Sequence, residues 1–296
     1  MNIMFQDKYN NSSYWVDIHE NYSGTLRAVG WPTLSEEFNK LKYYSESASF
    51  LTVLDRATDS KKACAILEVG VGTGYWTALQ GEYFRKAGVD IRVTALDMSA
   101  SALAQVKGKF PDISTIEADL KTIDVNSGNS QYDLVTAIMV LLHLTDIEDY
   151  LHALTFCAHS VKEGGYFILY EPLLNKGYSP FMSIEYDKFT GNSIPRASSM
   201  VDNLMQNNGL SKRFVLPGAS WLLNSPIQAN SKSAFKLKQL VWAVLVKFLF
   251  RSDRLTGMFS KLLLALDSIS KRRDPDSGTF VLYKKQGKAD ASGRAV

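Results

Sequence analysis

The chain has 296 residues, 46% of them hydrophobic and 21% charged, with 33 Lys+Arg against 30 Asp+Glu for a formal net charge of +3. This is an ordinary globular composition, large enough to hold a core without disulfide or metal staples. Cys64 and Cys157 are far apart with no CxxC pair, no uncharged apolar run reaches the ~18 to 20 residues that span a bilayer, and the first fifteen residues do not follow the secretory-signal pattern. A structural zinc site, a disulfide framework and a membrane-spanning protein are therefore not expected, and a reducing cytoplasm is.

Residues 1 to 32 are aromatic and polar with weak periodicity and end in a turn at Gly30-Trp31-Pro32. Thr33 and Glu36 have capping-box spacing, and Leu34, Phe38, Leu41, Ala48 and Leu51 recur at helical intervals, so a helix is predicted up to about Asp55. From Ala63 apolar runs alternate with amphipathic stretches, the pattern of β/α units on a parallel sheet. Strands are predicted at 63–69, 91–96, 113–117, 132–138 and 165–170, with helices at 75–86, 99–109 and 146–161, the last opened by a capping box from Thr145 to Glu148. Residues 121 to 131 are too short and too rich in polar and small residues for a helix. Beyond Pro172 an irregular insert runs to about Pro195, then a helix (197–207), a strand (211–217), a basic segment forming two helices separated near 251–254, a last strand (278–284) and a small polar tail.

The end of the first strand reads Leu67-Glu68-Val69-Gly70-Val71-Gly72-Thr73-Gly74 and leads straight into a helix. Glycines there let the backbone turn tightly and approach a ligand with no Cβ in the way. The dinucleotide pattern G-x-G-x-x-G/A requires a small residue at position 75, where this chain has Tyr75, which disfavours NAD. The second strand ends in Asp97-Met98, a carboxylate able to accept from two vicinal ribose hydroxyls. The third runs into Asp119-Leu120, the fourth ends at Ile138, and Val161-Lys162-Glu163-Gly164-Gly165 precedes the fifth.

In this order and spacing the segments resemble the class I S-adenosylmethionine-dependent methyltransferases, over about residues 60 to 172. The resemblance implies an α/β fold with a seven-stranded, mostly parallel sheet in the order 3-2-1-4-5-7-6, strand seven antiparallel, and helices on both faces. It implies S-adenosylmethionine as cofactor, with S-adenosylhomocysteine as product, held by Glu68, Gly70, Gly72, Gly74, Asp97, Met98, Asp119, Leu120 and Ile138, with Glu68 supporting the glycine turn or placing a charge near the sulfonium.

Because this cofactor brings its own activated methyl group, the protein must chiefly align a nucleophile and exclude water. A base is needed only for a protonated acceptor that does not ionise by itself, such as a sugar hydroxyl. His143, just beyond strand four, and Glu171, at the C-terminal end of strand five, are the candidate catalytic residues. His152 and His159 fall off the apolar stripe of their helix, and His19 has no assigned role. No metal-ligand cluster is present in the pattern, so no metal is expected. The N-terminal aromatics Tyr14, Trp15, Tyr22 and Trp31, with Tyr43 and Tyr44 on the first helix, are expected to form a lid over cofactor and acceptor or to pack the extension on the domain, and Tyr14, Trp15, Tyr22 and Tyr44 are the candidate substrate-binding residues.

Residues 229 to 273 hold ten basic and two acidic residues, a local +8, which leaves the remainder of a +3 chain at −5. Leu237, Leu240, Val241, Val244, Leu245, Phe248 and Leu249 make one helical stripe, and Leu255, Met258, Phe259, Leu262, Leu263 and Leu266 another, both flanked by cations. Such helices lie in a membrane interface, cover an apolar substrate, or pack on the sheet or a second copy. The segment Trp221–Pro226 is similar to one in bacterial methyltransferases of glycan or lipid-linked products. The expected organisation is a lid in 1–58, a methyltransferase domain in 59–285 with inserts at 173–195 and 219–277, and a flexible tail in 286–296. The expected reaction is methylation of a small-molecule hydroxyl on a sugar, lipid-linked or natural-product acceptor. N- or C-methylation, an RNA substrate and a catalytically silent binding module stay open as alternatives. Nucleic acid is the less favoured partner, because the aromatics of the basic segment lie at helical apolar positions and are not interleaved for base stacking. The expected location is cytoplasmic, with peripheral contact at the inner membrane face or a homodimer through 232–270.

Overall fold

A computed structural model of the chain describes residues 14–15, 17–18, 21–22, 24–57, 63–128, 131–183, 191–273 and 276–287. His19, the first thirteen residues of the expected lid, residues 184–190 of the first insert and the tail from 288 onward lie outside them.

Seven strands form one sheet: β1 (Ala63–Val69), β2 (Asp90–Asp97), β3 (Ser114–Glu117), β4 (Tyr132–Ile138), β5 (Val161–Glu171), β6 (Leu210–Pro217) and β7 (Thr279–Lys285). Their order is β3-β2-β1-β4-β5-β7-β6. The pairings from β3 across to β5 are parallel, and β7 runs antiparallel to both β5 and β6. This is the order expected from the sequence. In the stretch expected to be irregular the described residues form a separate two-residue pairing, Leu173–Leu174 with Arg196–Ala197, and a bridge from Tyr178 to Ala229.

The helices divide between the two faces because successive strand residues point to opposite sides. On one face α1 (Glu36–Ala57), α2 (Tyr75–Lys86) and α3 (Ala100–Lys109) bury Phe50, Val53, Leu54, Trp76, Phe84 and Val106 against Ile66, Leu134 and Ile138. On the other, α4 (Ile147–Ser160) and α5 (Ser198–Asn207) bury Tyr150, Leu154, Phe156, Val201 and Met205 against Val69, Val135 and Ala137. Each fully buried Val, Leu, Ile or Phe contributes roughly 1.5 to 3 kcal/mol, so these two layers fix the sheet and hence the level of its strand ends.

Two helix starts differ from the expected capping boxes. The Ser35 hydroxyl, not Thr33, accepts from the Phe38 amide at 3.2 Å. At α4 the carboxylate of Asp146, not Thr145, accepts from the Glu148 and Asp149 amides at 2.8 and 3.3 Å. In each case an oxygen nearer the first turn reaches the unpaired amides with better geometry.

A short helix, α6 (Trp221–Asn224), precedes the basic segment, which folds as α7 (Lys232–Leu245), continued by a π-helical turn (Val246–Phe250), then α8 (Asp253–Met258) and α9 (Ser260–Arg273). The break falls at Arg251 and Ser252, as expected. The inner sides of this hairpin, through Trp242, Leu249, Phe250 and Leu263, pack on Leu34, Phe38 and Leu41 of the α1 region in a third apolar cluster. Helix α1 is therefore covered by the sheet on one side and the hairpin on the other.

Candidate functional site

The parallel strands deliver their C-terminal ends to one edge of the sheet, where ligands sit in open α/β folds. A cleft open at its mouth lies there. Its first half is made by the turn after β1. Gly70, Gly72 and Gly74 have φ of 72°, 51° and 76°, a region open to glycine and costly for other residues. The Gly70 amide donates to the Leu96 carbonyl at 2.7 Å, which ties the turn to β2. The Gly72 amide donates to Asp97 Oδ2 at 3.0 Å, and the Ser99 amide to Asp97 Oδ1 at 2.9 Å. A carboxylate has about four acceptor positions, so each oxygen of Asp97 keeps capacity for another donor.

Gly70, Gly72, Asp97, Met98, Asp119, Leu120 and Ile138 all line this cleft. Asp119 is steadied by the Lys121 amide at 3.0 Å. Two members of the expected set stand elsewhere. Gly74 is the N-cap of α2 and lies against Val106, where a Cβ would come within 3.0 Å. Glu68 is 2% exposed and sits beneath the turn, where its Oε2 accepts from the Thr77 hydroxyl at 2.9 Å and from Gln80 Nε2 at 3.1 Å. Burial pushes its carboxyl up to about 8, opposed by the Thr77 hydrogen bond. It braces the turn against α2 without facing the cleft.

The second half is assembled from distant connections. His143 lines the cleft in the turn between β4 and α4, with the Trp15 ring edge-on to it at 4.7 Å and Tyr14 edge-on to Trp15 at 5.2 Å. His143 Nδ1 lies 2.6 Å from the Asn192 carbonyl oxygen. That oxygen only accepts, so Nδ1 carries the proton and Nε2 keeps the lone pair. Burial lowers the imidazole to about 4, opposed by the Asn192 bond, so His143 is neutral at physiological pH. Met139, also in the wall, has φ of 55°, a strained value of the kind that collects at functional sites.

Glu171 does not line the cleft. It is buried behind the wall, accepts from the Tyr150 hydroxyl at 2.9 Å, and burial raises its carboxyl to about 7 against that hydrogen bond. Beside it the buried Arg196 donates to the Leu144 and Thr145 carbonyls at 2.9 and 3.1 Å, and the Ile194 amide donates to Leu142 at 2.9 Å. These bonds strap the end of the insert over the turn that carries His143. Glu171 is thus placed to position that turn, not to meet a ligand.

Of the expected lid aromatics, Trp15 lines the cleft and Tyr14 stands behind it. Tyr22 instead holds the Arg27 guanidinium over its ring at 4.5 Å. Tyr44 is 66% exposed on the far side of α1, whereas its neighbour Tyr43 is 4% exposed, lines the cleft and stacks on Trp76 at 5.5 Å. Tyr43 was among the aromatics expected in the lid; Asn192 and Arg196, in a stretch without periodicity, were not legible from the sequence. His152 and His159 bond to the Ile123 carbonyl and to Asn208, away from the cleft.

Residues 66–165 match a family of methyltransferase domains. Over 128 residues the chain is 30% identical to a malonyl-[acyl-carrier protein] O-methyltransferase of Bacillus anthracis, a match covering 39% of this chain and 46% of that protein. The chain therefore spans about half the length of that relative. Among solved structures it is similar to an S-adenosylmethionine-dependent methyltransferase of Mesorhizobium loti (15% identity, 79% of this chain and 96% of that one, TM-score 0.47) and to the [4+2]-cyclase SpnF (14% identity, 80% of each chain, TM-score 0.48). Residues 66–165 are thus similar to methyltransferase domains, and S-adenosylmethionine is the cofactor that this resemblance implies.

The residues present fit that cofactor. A Cβ at Gly72 would come within 2.9 Å of Val29, and one at Gly70 would overlap Val140, so side chains there would fill the space the glycines leave clear. The adjoining Asp97 supplies acceptors, while Leu120 and Ile138 supply apolar walls.

Proposed function

We propose that the protein transfers the methyl group of S-adenosylmethionine to an oxygen of a small molecule, a hydroxyl of a sugar, lipid-linked or natural-product acceptor. The neutral His143 carries this reading: with Nδ1–H given to Asn192, Nε2 is the ring atom left to take a proton from an acceptor hydroxyl. The O-methylating relative supports oxygen as the accepting atom.

Bound S-adenosylmethionine supplies an electrophilic methyl group on a sulfonium. Asp97 would hold the ribose hydroxyls, Asp119 and Leu120 the adenine, and the backbone around Gly70 and Gly72 the remainder, with Met98 and Ile138 as walls. Trp15, backed by Tyr14, would close the acceptor side and exclude water, which raises the share of bound acceptors in line for transfer. Residues 1–58 then act as a lid on the domain formed by 59–285. Contact of residues 232–270 with a membrane surface or a second copy, and a cytoplasmic location at the inner membrane face, belong to the same reading. No helix among the described residues is long and apolar enough to cross a membrane.

The test is incubation of the chain with methyl-labelled S-adenosylmethionine and a fractionated cell extract, with Asp97→Ala as control. Label is expected in the lipid, glycan or small-molecule pool with oxygen as the bonded atom. Label on nitrogen or carbon, or in RNA, would replace the acceptor class, and cofactor binding with no transfer to purified candidate acceptors would favour a silent binding module.

A further inference from the structure

The helical hairpin keeps a second apolar side that its packing on α1 does not use. On α7 and the π turn, Leu237, Leu240, Val241, Val244 and Phe248 face solvent; on α8 and α9, Leu255, Met258, Phe259, Leu262, Leu266 and Ile269 do, each 36 to 66% exposed. Soluble monomers rarely leave so many large apolar side chains exposed on one element without a partner for them.

The cations around these stripes are ordered too. On an α-helical wheel Lys236 falls about a quarter-turn from the α7 stripe, Arg254 from Leu255 and Met258 on α8, and Lys261 and Arg272 from Leu262, Leu266 and Ile269 on α9, while Lys247 adjoins Phe248 in the π turn. All five are exposed, and none has a carboxylate partner among the described residues. Lys238 and Lys271, by contrast, turn inward to Asp276 and Asp267. The hairpin therefore sorts its charges: inward lysines are neutralised within the fold, and outward ones border apolar surface.

We infer that this outer side of the hairpin docks on a bilayer containing anionic phospholipids, with the apolar stripes among the acyl chains and the flanking lysines and arginines at the phosphate level. Long basic side chains at the edge of an apolar stripe reach up to the headgroups in this arrangement. A second copy is the weaker occupant on charge. An isologous interface would set the +8 segment against itself, and its two acids are engaged elsewhere, Asp253 with the Glu37 amide and Asp267 with Ser45 and Ser220. The inference goes beyond methyl transfer and is tested without it.

The experiment is flotation of the full chain with vesicles of phosphatidylglycerol and phosphatidylcholine, against phosphatidylcholine alone. Binding is expected to the anionic vesicles, to fall at least tenfold on neutral ones, and to fall similarly between about 0.05 M and about 0.5 M NaCl as the charges are screened. Leu240→Asp with Phe248→Asp should abolish flotation, and Lys247→Glu with Lys261→Glu should weaken it at least tenfold. Phe248→Trp should shift its emission to the blue on anionic vesicles, a reading taken on the folded chain should the aspartate variant misfold. Absence of flotation, equal binding to neutral vesicles, or an unshifted Trp emission overturns the inference. A dimer in sedimentation equilibrium that Leu240→Asp dissociates, without flotation, assigns the surface to a second copy. Loss of S-adenosylmethionine binding or transfer with flotation retained would sink the proposed reaction and leave this inference standing.

Discussion

Gly70, Asp97 and Asp119 reach the cleft at the ends of adjacent parallel strands, while Trp15 and His143 reach it from connections far apart in the chain, with Asn192 of a third connection bonded to His143. In the first half, position follows from β-sheet register: Val69 pairs with Leu96 and Asp97 with Glu117, so once the strands align the glycine turn and both carboxylates fall at one level. In the second half nothing repeats, and the geometry depends on a strap of hydrogen bonds from residues 192–196 onto the turn 141–145. A cofactor that never changes can be held by register, whereas an acceptor that differs between relatives is met by connections free to vary.

This contrast predicts that the halves separate under mutation. The largest effect is expected from His143→Gln, which should lower turnover by about 100- to 10,000-fold, as for a lost general base, and leave cofactor affinity within about threefold. A variant that weakens cofactor binding as much as turnover would break the division. Because burial lowers the imidazole from 6.5 to about 4, wild-type transfer should stay level from pH 8 down to about 5 and fall near 4. A fall centred near 6.5 would mean that the ring is not held neutral in the wall.

Asp97→Ala attacks the other half. It removes the acceptor of the Gly72 and Ser99 amides together with the candidate ribose contact, and cofactor affinity should fall by about 100-fold in calorimetry, the scale of losing one to two charge-assisted hydrogen bonds. Smaller again is the effect of Glu68→Gln. With its carboxyl raised to about 8 in the fold against 4.5 outside it, Glu68 contributes stability that is fully present below about pH 4.5 and lost as the pH rises through 8. Denaturant unfolding at pH 5 and pH 8 should show the wild type losing on the order of 3 kcal/mol more than the Gln variant over that interval. Parallel losses would mean that Glu68 is already ionised in the fold.

The same division governs what the sequence makes legible. The first strands, the glycine turn and Asp97 are written in short segments whose apolar period and turn chemistry are local, and the strand order comes with the family that those segments resemble. Glu68 carries the motif yet turns away from the cleft, because its neighbours Thr77 and Gln80 one helical turn apart on α2 draw it beneath the turn. Helix α1 is marked by its apolar spacing, but Asn39, Ser45, Glu46 and Ser49 are buried polar residues between sheet and hairpin, a second buried side that hydropathy does not show. The Lys42 and Glu46 pair at 2.7 Å, joined by the Tyr170 hydroxyl at 2.6 Å, satisfies those charges in the interior, and no pattern of single residues announces it. The strap from the insert is less legible still, since Arg196 reaches carbonyls about fifty positions away.

The finest test lies within the aromatics, where the sequence offers Trp15 and Tyr44 as equals and the fold does not. Trp15 touches His143 and lines the cleft, so Trp15→Ala should raise the acceptor KM about tenfold, the worth of one well-packed aromatic contact, with cofactor affinity unchanged. Tyr44 lies outward with most of its ring in water, and Tyr44→Ala should change neither constant measurably. The pair is most informative in one assay with a purified acceptor, because both substitutions delete an aromatic from the N-terminal region and any general loosening of that region would appear in both. Equal losses would mean that the region acts only as packing for the domain. A loss confined to Trp15 would assign the acceptor side of the cleft to the connection that precedes α1, and with it the element in which relatives of different acceptor preference should differ.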